Sequence, residues 1–195
     1  MGRVVAIAVV LAALQGCALT DATLDVGLDP SRVSAGPLSD VSRQTFVLED
    51  FDDVRSDKER VGYKKNSFGA RLADITTEQP VTEIVKEAID GALIANGHAV
   101  GAGGVSVAGT VNQFWVDSDM NFTHIELMCN IETELSFTDM ATDTVIHQGV
   151  YRGSFSEKRQ TGMESNYRSV IAGAIEKLVD ELVFDEELAE ALDGP

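Results

Sequence analysis

The sequence has little positive charge. Its 195 residues include 15 lysines and arginines against 32 aspartates and glutamates, for a formal net charge of −17. A field of this sign repels the phosphates of nucleic acids and the head groups of anionic lipids. The composition therefore disfavours nucleic-acid binding, and it also argues against a polybasic segment as a second membrane attachment.

Cysteine is scarce as well, since the chain contains only Cys17 and Cys129. If Cys17 is modified, as argued next, Cys129 has no partner and no internal disulfide can form. The fold must then rest on a hydrophobic core. About 150 residues are enough for one, because a domain of that size buries roughly 68–70% of its unfolded surface.

Long apolar runs are missing too, and the longest one lies at the amino terminus. Arg3 precedes eleven apolar residues, Val4 to Leu14. This run is too short to span a bilayer and has the layout of a secretory signal. The alternatives that follow from it are a lipoprotein signal ending before Cys17 and an ordinary signal cleaved somewhere in the range 12–18.

The tetrapeptide Leu14-Gln15-Gly16-Cys17 resembles the lipobox of bacterial lipoproteins. In that class the cysteine thiol receives a diacylglycerol, the preceding peptide is removed and the new amino terminus is acylated. The resemblance thus implies lipidation of Cys17. In bacterial lipoproteins an aspartate after the modified cysteine favours the inner membrane. Ala18 stands there instead, so the outer membrane is favoured, and two or more acyl chains hold a protein firmly.

We therefore divide the chain into three parts. Residues 1–16 are a lipoprotein signal peptide, residues 17–44 are the lipidated amino terminus and a tether, and residues 45–195 are a single domain. The tether is predicted from its prolines, glycines and lack of helical periodicity, and it would let the domain stand clear of the lipid. Within it, Thr23–Val26 alternates weakly and could dock as an edge strand.

The domain shows a clear order of periodic segments. A β-prone run, Thr45–Phe51, is followed by a polar stretch at 54–79 that reads as a loop. Apolar residues at helical spacing then predict a helix from about 81 to 93. Three strand candidates follow, and seven consecutive apolar–polar pairs within 124–137 are the clearest. A second apolar stripe predicts a helix from about Ser165, and a short acidic helix begins near Phe184.

The order β-α-β-β-β-α predicts an α+β fold. Each helix has one apolar stripe and the best strand has one apolar face, so we expect a two-layer sandwich of a mostly antiparallel sheet with both helices on one face. The helix crossover should place the first strand parallel to a neighbour. The outer face of the sheet should be exposed to solvent or bind a partner. It carries His124, Glu126, Glu132 and Glu134.

No segment carries a convincing catalytic motif. Gly101–Gly104 precedes a strand, whereas a dinucleotide loop opens a helix. Ser106 lies in a near match to a nucleophile elbow, but at the start of a strand.

Asp117, Asp119 and Asn121 have the opening spacing of a calcium loop without its later ligands, so an acidic turn is expected. The acidic cluster Glu49, Asp50, Asp52 and Asp53 is expected to be neutralised by Arg55, Lys58 and Arg60.

Metal and cofactor sites are not indicated either. His98, His124 and His147 are isolated, with none of the usual ligand spacings. Cys129 has the apolar parity of its strand and is expected in the core, whereas Met128 and Phe114 are expected on the outer sheet face. The sequence thus predicts no cofactor, no metal and no enzyme.

The whole mature chain resembles the YajG-type family of uncharacterised bacterial lipoproteins. The residues that carry the resemblance are Cys17, Asp53-Val54-Arg55, Val61-Gly62, Asn96-Gly97-His98 and the late run Leu182 to Leu188. More distantly, the element order is similar to small α+β domains of envelope transport and assembly lipoproteins. The family resemblance implies an envelope location and supplies no catalytic residues.

These observations lead to two functional hypotheses. The first is an outer-membrane lipoprotein that faces the periplasm and works as a non-enzymatic accessory or scaffold, by contact with an envelope protein. The alternative is a periplasm-facing module that binds a lipid or small ligand in a pocket between the sheet and the helices.

Overall fold

The computed structural model describes residues 20–121 and 123–194, and in these ranges the chain forms nine strands and three α-helices. The predicted signal peptide 1–16 and the predicted lipidation site Cys17 lie outside the described residues. The elements in chain order are β1 Ala22–Leu24, β2 Thr45–Leu48, β3 Asp52–Asp53, β4 Gly62–Lys65, β5 Arg71–Thr77, α1 Val81–Ala95, β6 Ala99–Val100, β7 Val105–Met120, β8 Ile125–Asp139, β9 Thr144–Arg159, α2 Glu164–Val183 and α3 Glu186–Asp193.

The three long strands β7, β8 and β9 form an antiparallel ladder, and β7 is its anchor to the rest of the sheet. The other edge of β7 is covered in turn by β2, β3 and β4, all parallel to it. Beyond them, β6 pairs with β2, β5 pairs with β4 and β1 pairs with β5. The fold is therefore α+β with a mostly antiparallel sheet, and the predicted parallel placement of the first domain strand is confirmed.

The alternation predicted for β8 is confirmed. The apolar residues on its inner face are buried, and Cys129 is completely so; they are Ile125, Leu127, Cys129, Ile131, Leu135 and Phe137. The prediction for Phe114 is wrong, because this side chain is fully buried. The cause is a bulge in β7: the register skips Asn112 between Val111 and Gln113, so every later residue changes face. Met128 lies on the outer face as expected, 42% exposed.

Both apolar helix stripes are confirmed and contribute to one core with the buried face of the sheet. The sheet and α2 approach each other very closely at two glycines. A Cβ on Gly153 would lie 1.9 Å from the backbone oxygen of Ala174, and one on Gly173 would lie 2.6 Å from the ring of Phe155. None of the helices in the described ranges is long and apolar enough to cross a membrane.

The loop predicted at 54–79 is wrong in part, because β4 and β5 form an antiparallel hairpin there. Periodicity missed it because β4 carries a lysine on each face, which removes the apolar–polar alternation. Tyr63 and Lys65 share the outer face, whereas Lys64 is buried and Ile75 is fully buried on the core side.

Residues 20–44, which composition assigns to a tether, pack on the domain instead. Strand β1 pairs with β5, and Leu24 and Leu38 are fully buried. The backbone N–H of Gly36 donates to Oδ1 of Asn96 at the end of α1. The weak alternation at 23–26 was the correct signal. The physical reason is that a few apolar side chains, spaced between polar ones, are enough to dock an extended segment on an open sheet edge.

Candidate partner-binding site

A surface depression of about 500 Å³ lies where the start of β9 meets the end of α2 and the start of α3. It is lined by residues 147–151, Glu181 and residues 184–187. We call it the acidic depression, because four of its residues are carboxylates. The sheet and the two helices bring these residues together, although the segments lie about 30 positions apart along the chain.

The floor of the acidic depression is a connected set of three side chains. The buried hydroxyl of Tyr151 donates to Oδ2 of Asp185 at 2.7 Å and lies 3.2 Å from Nε2 of His147. His147 Nε2 is also 3.1 Å from Asp185 Oδ2. The Tyr151 hydroxyl oxygen and Asp185 Oδ2 can both accept a hydrogen bond from the imidazole of His147. The geometry therefore favours the tautomer with a proton on Nε2. Burial raises the pKa of Tyr151, and the hydrogen bond to Asp185 and the surrounding carboxylates raise it further.

Asp185 also organises the backbone at this site. Its Oδ1 accepts from the backbone N–H of Leu188 at 2.9 Å and so caps the amino terminus of α3. An aspartate at this position satisfies one of the free N–H groups of the helix and favours its positive end. One carboxylate therefore fixes both the floor of the depression and the start of α3.

The rim combines negative charge with exposed apolar surface. Glu181, Glu186 and Glu187 surround the opening. Phe184 is 53% exposed and Val150 is 40% exposed. Isolated apolar side chains are normal on a surface, but these two share one concave and acidic site. Such a surface would complement a segment that carries both basic and apolar side chains.

The depression also borders an open strand edge. Among the described residues, β9 pairs with β8 alone. The backbone N–H of Arg152 points away from β8 and donates to the carboxylate of Glu181. Backbone groups alternate along a strand, so those of Gln148 and Val150 point to the same open side. Such an edge can bind an extended segment of another chain by strand addition.

The side chains of the site are not arranged as a nucleophile with its base. The Tyr151 proton is held by Asp185, and the raised pKa of Tyr151 keeps the phenol protonated. Cys129 lies in the core, where burial raises the pKa of its thiol. Within residues 20–121 and 123–194, no three histidines, cysteines or carboxylates are grouped so that they could hold a metal ion.

A second depression, of about 310 Å³, lies between α1 and the strands β2 and β6. Apolar lining comes from Val47, Leu48 and Val100, and charged lining from four residues of α1. Lys86 in this lining pairs with Asp50 at 3.1 Å. The edge strand on this side, β6, is only two residues long and the lining includes no aromatic side chain, so the acidic depression is the stronger candidate.

The residues considered from sequence are dispersed. The hydroxyl of Ser106 donates to Glu49 at 2.8 Å. Among the described residues, no hydrogen bond joins Ser106 to a histidine. Asp53 receives Nε and Nη2 of Arg55, which confirms the expected neutralisation of this carboxylate. Burial opposes this effect, but the hydrogen bonds from Arg55 outweigh it and lower the pKa of Asp53.

The three histidines lie in three different environments. His98 is buried: its Nδ1 accepts from the backbone of Gln44, and its Nε2 lies 2.9 Å from the carbonyl of Leu38. His124 contacts its neighbour Thr123. Only His147 belongs to the acidic depression.

Sequence reasoning missed the network of His147, Tyr151 and Asp185. One local signal was present, because His147 and Tyr151 are four residues apart on a strand and therefore share a face. Asp185 also stands at the start of a short helix, as a capping residue would. Joining the two required the packing of α2 on β9, which no local pattern specifies.

A protein family described as "Uncharacterized lipoprotein" matches residues 41–193. This match agrees with the resemblance to YajG-type lipoproteins. None of the curated proteins compared with the chain matches it.

Solved structures also resemble this chain. One is a DUF330-family protein from Xanthomonas campestris, with 12% identity and a TM-score of 0.55, covering 87% of this chain and 94% of that chain. Another is a minor lipoprotein from Acinetobacter baumannii, with 12% identity and a TM-score of 0.38, covering 72% of this chain and 92% of that chain. The first likeness is one of fold alone.

Proposed function

The chain belongs to this family of uncharacterised lipoproteins, and we propose that it is a lipid-anchored accessory protein of the cell envelope. In this proposal acyl chains on Cys17 hold the protein in the outer membrane, and the folded domain faces the periplasm. It acts without catalysis, by binding an envelope protein at the acidic depression.

The observation that carries the proposal is the composition of this depression. It combines the exposed ring of Phe184, the acidic rim and the open edge of β9 in one concave surface. Binding sites for proteins use aromatic anchors within a polar rim. A partner segment that is extended, basic and partly apolar fits each of these three features.

The interior offers the alternative hypothesis little support. A ligand pocket between the sheet and the helices would occupy space that is filled by side chains such as Ile131 and Ile175, which are 2% and 0% exposed. At Gly153 the backbone of α2 lies too close even for a Cβ atom. The observations therefore favour a surface-binding accessory over an interior ligand carrier.

The test is photo-crosslinking in intact cells with a photoreactive amino acid at one of two phenylalanines. Phe184 lies in the acidic depression, and Phe68, which is 93% exposed, is the matched control outside it. We expect a discrete protein adduct from position 184, identified by mass spectrometry, and none of the same mass from position 68. Equal adducts from both positions, or none from position 184, would contradict the proposed binding site.

A charge reversal sharpens this experiment. Glu187→Lys should weaken the adduct at position 184, because it places a positive charge beside a basic partner segment. Glu190→Lys is the matched control, on the same helix but outside the lining of the depression. An equal loss with both variants would point to a general charge effect.

The anchor needs its own experiment. Cys17→Ser should leave the protein unlipidated and in the soluble or unprocessed fraction, while the wild type sediments with membranes. Mass spectrometry of the mature amino terminus should show the acyl chains. Recovery of wild-type protein from the soluble periplasm would contradict the lipoprotein assignment for this chain.

A further inference from the structure

The folded domain begins almost directly after the lipidation site. The backbone carbonyl of Thr20 accepts a hydrogen bond from Nζ of Lys64 at 2.9 Å. Thr20 is three positions after Cys17, and this distance along the chain spans at most about 11 Å even when fully extended. If Cys17 is acylated, as the proposed function holds, the lipid is attached close to Lys64 in strand β4.

The direction of β1 shows which part of the domain lies nearest to the lipid. Ala22 is opposite Ile75 and Leu24 is opposite Thr77, so β1 runs parallel to β5. Going backwards from Ala22, the chain therefore leads towards Arg71 and the turn that joins β4 to β5. We call residues 65–72 the hairpin tip.

The hairpin tip has the composition of a membrane-contacting surface. Phe68 is 93% exposed and Leu72 is 38% exposed. Lys65 and Arg71 flank them as ion pairs, Lys65 with Asp117 and Arg71 with Asp74, so these four charges compensate one another. Aromatic side chains are favoured at the interface of a bilayer, and paired charges at the edge of the tip do not oppose its contact with lipid.

The backbone of the tip is also suited to a lipid interface. Oδ1 of Asn66 accepts from the N–H groups of Phe68 and Ala70, both at 3.0 Å. The Asn66 backbone accepts from Gly69 and donates to Ala70. Polar backbone groups that leave water need such internal partners. The turn thus presents the Phe68 ring while it satisfies much of its own backbone.

We propose that the hairpin tip contacts the phospholipid leaflet that carries the acyl chains of Cys17. The domain then rests directly on the membrane, with Phe68 at the lipid interface, and no long tether holds it away. This inference rests on the proposed lipidation of Cys17, but the contact itself is a separate claim about residues 65–72.

The experiment uses the full-length lipidated protein in vesicles of phosphatidylethanolamine and phosphatidylglycerol. An environment-sensitive dye is attached to Phe68→Cys or, as a control, to Met140→Cys. Met140 is 49% exposed in the turn between β8 and β9, at the opposite end of the ladder. Labelling is selective because acylated Cys17 has no free thiol and Cys129 is fully buried.

We expect lipids with brominated acyl chains to quench the dye at position 68 several-fold more strongly than the dye at position 140. Equal quenching at both positions, in protein that floats with the vesicles, would overturn the membrane contact and leave the anchor intact. A mature protein with an unmodified Cys17 would instead contradict the proposed function, and the contact would fall with it.

Discussion

Two segments of equal length differ sharply in charge. Residues 55–71, which lead into the hairpin tip, contain six basic and two acidic residues. Residues 177–193, which border the acidic depression, contain one basic and seven acidic residues. The net charge of the whole chain conceals this asymmetry. The net charge of the whole chain therefore does not describe each segment, although Arg55 and Lys64 of the basic segment are buried.

The long strand β7 holds these two regions apart. Lys65 pairs with Asp117 near one end of β7, whereas His147 lies across β8 at the level of Val107. Val107 and Asp117 are ten positions apart along β7, which corresponds to about 33 Å. If the lipid is attached near the basic region, as proposed, the acidic depression lies on the far side of the domain, where the proposed periplasmic partner would have access.

The separation depends on the tight packing of α2 on the sheet, so the largest expected effect comes from Gly153→Ala. The new Cβ would lie 1.9 Å from the Ala174 oxygen, and because backbone must move, we expect a loss of about 3 kcal/mol or more in the free energy of unfolding. Urea denaturation measures this loss.

Gly27→Ala is the control for Gly153→Ala, because no atom lies within 4 Å of its added Cβ. It should leave stability unchanged or slightly higher, since alanine reduces the freedom of the unfolded chain. A Gly153→Ala protein as stable as the Gly27→Ala protein would show that α2 can shift away from β9 at little cost.

At the acidic end, Asp185→Ala should cost about 2–3 kcal/mol of folding free energy. The loss combines a helix cap, worth about 1 kcal/mol, with the buried Tyr151 hydroxyl left without its acceptor, worth about 1–3 kcal/mol. Asp185→Asn is the control, because it keeps acceptor and cap while removing the charge. Chemical denaturation should rank the alanine variant well below the asparagine variant; equal losses would assign the effect to charge.

We expect the stability of the fold to depend on pH through His98, which contacts the segment that packs near α3. Burial lowers the pKa of His98 from its ordinary value of 6.5. As the pH falls below about 6.5, the unfolded chain therefore binds a proton that the native state does not, and stability decreases by at most about 1.4 kcal/mol per pH unit. This contribution is fully present above that pH.

Unfolding curves between pH 5 and pH 8 test the role of His98. The wild type should lose stability on acidification more steeply than His98→Asn, which has no imidazole to protonate. The contacts of His98 with Gln44 and Leu38 make some overall destabilisation of the variant expected. The slope with pH is therefore the decisive quantity, and an unchanged slope would remove His98 as its cause.

At the basic end, Asn66→Ala should cost only about 1 kcal/mol, because the two hydrogen bonds that it removes are exposed to water. Asn66→Asp keeps an acceptor and is the control. Hydrogen exchange at Phe68 and Ala70 should accelerate in the alanine variant alone. Acceleration that also reaches Ile75 would show that the turn supports the whole hairpin.

The sequence predicted the long elements well because their patterns are strong. The β8 alternation, the two helix stripes and the parallel first strand all follow from periodicities that a single buried face imposes. The hairpin of β4 and β5 was missed because β4 carries lysines on both faces, Lys65 on the outer face and the buried Lys64 on the inner one. Phe114 was assigned to the wrong face because a bulge at Asn112 leaves no mark in the hydrophobic pattern.

The sites were harder to predict than the fold. The acidic depression joins residues 147–151 to residues 184–187, and the contact exists only once α2 lies on β9. The basic run at 55–71 was visible in the sequence, but its proposed position beside the lipid depends on how β1 pairs with β5. In both cases the residue types could be read from the sequence, but their position in the molecule depends on tertiary packing.

The smallest effects on stability are expected from substitutions at the two exposed phenylalanines, Phe68 and Phe184. Because these substitutions should leave the fold intact, they test the function of each region. Phe68→Ser should change the free energy of unfolding by less than about 0.5 kcal/mol, because the ring is 93% exposed. Phe184→Ser should cost about 1 kcal/mol, since roughly half of this ring is covered. The functional losses should be distinct: Phe68→Ser should lower affinity for phospholipid vesicles in the unlipidated protein, and Phe184→Ser should weaken capture of the partner. If Phe184→Ser reduced vesicle binding as much as Phe68→Ser, the two ends would not have separate roles.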